Sequence, residues 1–234
     1  MTAPLAVVSL SGGMDSCVTA AVARSLGHDL CLLHADYGQR TEAREAQAFH
    51  AIAEHYQVPH KRRLVVSLEG LRAVGGSALT DRAIPLPEGA LDREGIPASY
   101  VPFRNAHLLS LATSWAEVLG ARDIFVGFVE EDSSGYPDCR EAFLRAFEAA
   151  ARLGTRPETR PTFHAPLMHR DKAAIVRLGV SLGAPLALTW SCYDGETVAC
   201  GRCDSCLLRL RGFHGAAVPD PIPYARVPER FKVG

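Results

Sequence analysis

The sequence predicts an α/β fold, a doubly wound parallel sheet with a small C-terminal zinc-binding segment, on three observations. Four apolar runs of strand length, LAVVSL (5–10), LCLLHA (30–35), LVVSL (64–68) and IFVGFV (124–129), are near-continuous rather than alternating, as strands covered on both faces are. Helical patterns lie between them, an order that calls for right-handed crossovers and parallel strands. Four of the seven cysteines gather between residues 192 and 206.

Each element has its own local reason. The first run ends in Ser11, Gly12 and Gly13 and leads into a helix over 16–26, closed by Gly27. The second leads to a helical pattern over 41–56, ahead of Pro59. After the third, residues 69–99 are rich in Gly and Pro with weak periodicity, which predicts a mobile lid. A helix over 104–119, closed by Gly120, precedes the fourth run, and helical patterns over 140–153 and 171–182 follow it. The prolines at 219, 221, 223 and 228 predict an extended surface tail. The division expected is 1–185 for the sheet domain and 186–234 for the cysteine segment and tail.

A chain of 234 residues can bury one sizeable core, and 47% hydrophobic with 22% charged residues is an ordinary globular composition. With 25 basic and 26 acidic residues the formal net charge is -1, so no global field gathers nucleic acid or a membrane surface. The N-terminal stretch has no basic region ahead of its short apolar run, so a cytoplasmic protein is expected. A closed two-fold homodimer is the expected assembly.

The stretch SGGMDS, residues 11–16, has the place and composition of a phosphate cradle. Glycines let backbone amides approach an anion, the Ser11 and Ser16 hydroxyls add donors, and the helix start adds a positive dipole end. An acid there, Asp15, repels phosphate unless a cation intervenes, which assigns it to Mg²⁺. The same residues also suit a tight turn with a capped helix. Neither GxxxxGK[ST] nor GxGxxG occurs in the chain, which removes the support for a Walker-type site or a standard dinucleotide fold.

Cys192, Cys200, Cys203 and Cys206 offer four thiolates, enough to close a tetrahedral shell around a structural Zn²⁺ with no open position. An iron-sulfur cluster is the alternative for the same ligands. Cys17 and Cys31 lie in apolar runs and read as small core residues. Other directional groups stand at strand ends: Asp36 and Gln39 after the second run, Arg104 and Asn105 at a helix start, and EEDSSGYPDCREAF (130–143) after the fourth.

Taken in order, SGGMDS, DYGQR, VPFRN, SGYPDCR, HAPLMHRDKAAI and SCYDGETVACGRCDSCLLRLRGF resemble the 7-cyano-7-deazaguanine (preQ0) synthase family, within the PP-loop adenine-nucleotide alpha-hydrolase group. The resemblance spans almost the whole chain. It departs from the family pattern at Phe103, where glycine is common, and at Ser133, where an aromatic is common.

The resemblance implies that 7-carboxy-7-deazaguanine, ammonia and two ATP become 7-cyano-7-deazaguanine, two AMP and two pyrophosphate through an adenylated acid and an adenylated amide. It implies an ATP site at Leu10, Ser11, Gly12, Gly13, Met14, Asp15 and Ser16 with Asp36 and Gln39, and catalytic roles for Asp15, Arg104 and Lys172. Asp132, Ser134, Gly135, Tyr136, Asp138 and Arg140 fall to the deazaguanine, with Tyr136 stacking and Asp138 or Asp132 accepting from its N–H groups. Cys139 as a nucleophile is an alternative that adenylate chemistry does not need. Two rival functions are a PP-loop tRNA thiolation enzyme, which calls for a basic face and a sulfur-carrying thiol, and a non-catalytic zinc module that binds nucleic acid.

Overall fold

The first apolar run becomes the middle strand of the sheet. In the computed structural model, which describes residues 3–89, 95–130 and 135–231, β1 (Leu5–Ser9) lies between β2 (Asp29–Asp36) and β4 (Asp123–Phe125). β3 (Arg63–Ser67) and β5 (Thr162–His164) take the edges, giving the order β3-β2-β1-β4-β5 with every pairing parallel. Register places Val7 beside Cys31 on one side and Ile124 on the other.

Both faces are covered, which is why the strands lack polar alternation. Val7, Cys31, Leu33 and Ile124 face α4 (Arg104–Leu119) and α5 (Glu141–Gly154), packing against Leu109, Ala112 and Leu144. Ala6, Val8 and Leu32 face α1 (Met14–Ser25) and α2 (Glu42–His55), against Cys17, Ala20, Phe49 and Ile52. Cys17 and Cys31 are thus core residues, as their setting predicts. The chain builds outward from β1 through β2 to β3, then returns to start β4 on the other side of β1. The carboxyl ends of β1 and β4 therefore form the switch point at which open α/β sheets bind ligands.

Several expectations are corrected. The strand read over 124–129 keeps its ladder only to Phe125, and Gly127, Phe128 and Val129 leave it to line the cavity at the switch point. β5 has only three residues between Pro161 and Pro166, too few to show a period. The segment read as a mobile lid is docked on both sides of 90–94, which lie outside the described residues. It contains α3 (Glu69–Val74), and Ser77, Ala78, Leu79 and Thr80 are buried. Arg40 holds it by donating to the carbonyls of Ala78, Asp81 and Ile84. Polar anchoring of this kind leaves no hydrophobic period in the sequence.

The tail is not a plain surface tail. Two further helices, α6 (Lys172–Ser181) and α7 (Asp204–Gly215), pack together, and Ile175 and Val176 meet Phe213 in one apolar cluster. From α7, Arg209 grips Asp220 through Nε–Oδ2 at 2.8 Å and Nη2–Oδ1 at 2.9 Å, with side chains 1% and 6% exposed. Tyr224 donates its hydroxyl to the same carboxylate, and Tyr224 pairs with Ala199 as a parallel bridge. A buried charge costs several kcal/mol unless it is matched, and this bidentate pair matches it. Among the described residues no helix is long and apolar enough to cross a membrane.

Gly12 is fixed by packing. Its φ is +90°, and a Cβ there would sit 2.7 Å from the Glu45 carbonyl oxygen on α2. Gly12→Ala is expected to cost at least about 2 kcal/mol, read as a lowered urea midpoint at unchanged slope.

Candidate active site

At the switch point lies a cavity of about 260 Å³ whose walls come from every part of the chain. Its floor is the loop after β1. Gly13 stands at the N-cap of α1 in extended conformation, so the amides of the first helical turn are left without intrahelical partners. Ser11 Oγ accepts from the Gly13 amide at 3.2 Å and lies 3.1 Å from Ser16 Oγ, which itself donates to the Gly13 carbonyl at 3.0 Å. Leu10, Ser11, Gly13, Met14, Asp15 and Ser16 all line the cavity. Gly12 does not. Its carbonyl accepts from the Trp190 amide at 2.8 Å, so this glycine ties the loop to α2 and to the cysteine segment.

Lys172, at the first position of α6, crosses to Asp15 with Nζ 2.6 Å from Oδ2. Asp171 caps that helix by accepting from the Ala174 amide. Close approach of α7 sets the lysine backbone, because a Cβ on Gly212 would sit 2.9 Å from Lys172 Cβ. The cation facing Asp15 is therefore the lysine ammonium. Asp15 Oδ1 is buried with no hydrogen-bond partner, an arrangement that suits a divalent cation at the second oxygen.

Arg104 follows Phe103, whose φ of +57° is left-handed and explains why a glycine suits that position. Its Nη1 donates to the Tyr37 hydroxyl at 2.9 Å, and its guanidinium lies 5.2 Å from the Tyr37 ring centre and 5.9 Å from that of Tyr136. Tyr136 also lines the cavity and hydrogen-bonds the Ser99 carbonyl through its hydroxyl.

Other expected site residues lie elsewhere. Asp138 is buried, but both its oxygens accept from Asn105, from the amide at 2.9 Å and from Nδ2 at 3.1 Å. It fixes the start of α4 and does not line the cavity. Asp36 accepts from the Gly38 amide, and Gln39 lies behind the cavity wall. Arg140 is exposed at the N-cap of α5, and Gly135 packs against the Gly95 carbonyl. Asp132 and Ser134 lie outside the described residues.

The cavity also holds groups that the sequence reading missed, among them Tyr37, Glu45, Gly127, Trp190 and Tyr193. Gly127 had a packing reason: a Cβ there would come within 3.0 Å of the Ser16 amide nitrogen. Glu45 had a sequence signal, since it stands half-buried one turn ahead of the buried stripe Ala48, Phe49, Ile52.

Burial pushes the Glu45 carboxyl up to about 7, against the lowering effect of hydrogen bonds from Thr41 and Gln39. A carboxyl raised in the folded state gives stability below its ordinary 4.5 that is lost as pH climbs toward about 7. Glu45→Gln should therefore gain on wild type by about 3 kcal/mol across that window, read from urea denaturation at acid and neutral pH.

The four cysteines converge behind the loop. The Sγ atoms of Cys192, Cys200, Cys203 and Cys206 lie within 4.8 Å of one another, and a zinc ion with bonds of about 2.3 Å needs sulfurs roughly 3.8 Å apart. Cys192 Sγ accepts from the amides of Asp194, Gly195 and Cys200, and Cys200 Sγ from that of Cys203. Hydrogen bonds from Cys192, Cys203 and Cys206 hold the Cys200 thiol below its ordinary range. Donors aimed at sulfur favour thiolate, the form that binds metal. Gly201 permits the knuckle to close, because a Cβ there would collide with the Arg226 carbonyl.

A family model described as "Queuosine biosynthesis protein QueC" matches residues 5–217. A 7-cyano-7-deazaguanine synthase of Chlorobium phaeobacteroides (strain DSM 266 / SMG 266 / 2430) is 53% identical over 224 residues, covering 96% of this chain and 98% of that one. One of Koribacter versatilis is 55% identical over 223 residues, covering 94% and 93%. Among solved structures, a predicted subunit of a tRNA methyltransferase from Methanocaldococcus jannaschii aligns over 76% of this chain and 74% of that one, at 16% identity and a TM-score of 0.48.

Proposed function

This chain belongs to the queuosine biosynthesis protein QueC family, and from that premise we propose that its cavity joins 7-carboxy-7-deazaguanine to ammonia at the expense of two ATP, giving 7-cyano-7-deazaguanine. The observation that carries the reading is that the Leu10–Ser16 loop, Lys172, Arg104 and Tyr136 open onto one cavity. A triphosphate gripped by the loop and a planar acid laid against Tyr136 then meet without either having to move.

The chemistry needs a leaving group, because oxide cannot leave a carboxylate. One carboxylate oxygen attacks the α-phosphorus of ATP and pyrophosphate departs. The amides at the start of α1 and the Ser11 and Ser16 hydroxyls hold the phosphates, and Lys172 and Arg104 offset the charge that builds on the departing pyrophosphate. A Mg²⁺ ion fits beside Asp15 Oδ1 and, when bound, adds positive charge against the triphosphate. Ammonia displaces AMP to give the amide, whose oxygen is adenylated in turn and leaves as the second AMP. Both carboxylate oxygens thus end in AMP, and one nucleotide site serves both rounds. A Zn²⁺ ion held by Cys192, Cys200, Cys203 and Cys206 would have its shell filled by four sulfurs, so its role would be to support the fold. The same reading places the protein in the cytoplasm as a homodimer acting on small molecules rather than nucleic acid.

The test is to incubate the purified protein with the 7-carboxy compound, ammonium, ATP and Mg²⁺ and to follow products by mass spectrometry. Amide appearing before nitrile, with two AMP per nitrile, is the expected result. Absence of AMP with the 7-carboxy compound would overturn the reading.

A further inference from the structure

Amide formation releases a proton from nitrogen, and the residues that grip phosphate do not accept it, because Asp15 is already paired with Lys172. Among the described residues the other carboxyls lining the cavity are Glu45 and Asp204. Asp204 sits in the first turn of α7, between Cys203 and Cys206 of the metal cluster.

Glu45 is held in a different way. Gln39 Oε1 accepts from the Tyr37 amide, which fixes the orientation of the side-chain amide and leaves Nε2 to donate to Glu45 Oε2 at 3.2 Å. On the other oxygen, Thr41 Oγ1 lies 2.9 Å from Glu45 Oε1 and 3.2 Å from the Cys192 carbonyl oxygen. A hydroxyl carries one proton, so it serves only one of these two acceptors when Glu45 is ionised. With a proton on Oε1, Glu45 donates to Thr41 and Thr41 donates to Cys192, and all three groups are satisfied. The hydrogen-bond pattern around Oε1 therefore accommodates a proton there.

The charges facing Glu45 are also balanced. Arg104 on α4 favours the carboxylate, whereas Asp36 at the end of β2 opposes it. With burial included, the carboxyl is poised at about 7, where a base works best in neutral solution.

We propose that Glu45 is the general base that takes the proton shed by nitrogen as ammonia displaces AMP from the adenylated acid, an inference that rests on the function proposed above. The ammonia lone pair forms the C–N bond, and one N–H proton passes to Glu45 Oε1. The C–O bond to AMP breaks with its electron pair going to the phosphate oxygen. Amide, AMP and protonated Glu45 result, and the carboxyl returns its proton to water.

The test separates the two halves of the reaction in wild type, Glu45→Gln and Glu45→Asp. Adenylation is read as ATP–pyrophosphate exchange dependent on the 7-carboxy acid without ammonia. Aminolysis is read as amide formed with ammonium, and as hydroxamate formed with hydroxylamine, a less basic nucleophile that sheds its proton more easily. Glu45→Gln should keep exchange within about twofold of wild type and lose ammonium-dependent amide formation by at least about 100-fold, with a much smaller loss on hydroxylamine. Glu45→Asp, which keeps an acid at shorter reach, should lie between the two on ammonium and match wild type on hydroxylamine. Equal losses on both nucleophiles, exchange that falls as far as aminolysis, or undiminished amide formation in Glu45→Gln would each overturn the proposal. Absence of acid-dependent exchange in wild type would instead bring down the function reading, and this inference with it.

Discussion

Lys172→Met is expected to slow acid-dependent ATP–pyrophosphate exchange by about 10²–10³-fold, the usual loss when one charged stabiliser of a departing group is removed. The lysine is 9% exposed and lies 2.6 Å from Asp15 on the cavity wall, so its charge is fixed where the phosphates would lie. The substitution should also cost stability, about 1–3 kcal/mol, because Asp15 is left without its cation in a partly buried place. Adding Asp15→Asn to the same chain removes the stranded charge. The double variant is expected to recover its urea midpoint while exchange stays low. A recovered midpoint assigns the stability loss to the stranded carboxylate, whereas the role of the lysine is read from Lys172→Met alone, in which exchange at the wild-type rate would refute the assignment.

Cys203→Ser is expected to abolish stoichiometric zinc and to lower the melting temperature by at least about 10 °C, since a structural zinc site contributes several kcal/mol of folding energy. The effect should reach the active site by a traceable route. Cys203 is the N-cap of α7, Gly212 of that helix sets Lys172, and the Trp190 amide just ahead of the cluster holds the Gly12 carbonyl. Exchange activity should therefore fall together with metal content when the wild-type protein is stripped by a chelator, and return on adding zinc. Metal analysis that finds iron and acid-labile sulfide in place of zinc would overturn the zinc assignment.

The middle of the sheet was legible because β1, β2 and β4 had to be apolar on both faces. Val7 and Val8 point to opposite layers, and both are fully buried. The loop at 11–16 was legible because its residue types are uncommon together at the end of such a strand. Elements held by polar contacts rather than by a repeating apolar face were not legible. The Ser77–Thr80 stretch is anchored by Arg40, and residues 220–224 by Arg209, and neither arrangement leaves a period to detect. Asp138 shows the limit for site residues. Sequence alone marks a carboxylate in a directional cluster, but whether it faces a ligand or the Asn105 amide depends on which helix start lies beside it. Glu45 shows the converse, because a single acid one turn ahead of an apolar helical stripe was a signal waiting to be weighed.

The Arg209–Asp220 clasp bears on how the protein fares when its chain is cut short. A stop codon or a proteolytic nick anywhere between residues 215 and 220 removes the carboxylate that, among the described residues, pairs with that guanidinium, which also borders the cavity at the switch point. The shortened product would then hold a buried guanidinium that keeps its hydrogen bonds to Thr189 and the Leu186 carbonyl but has lost its counter-charge. Such chains are expected to be cleared by cellular quality control instead of lingering as feeble catalysts, so extensions appended at the C-terminus should be borne far better than deletions into it.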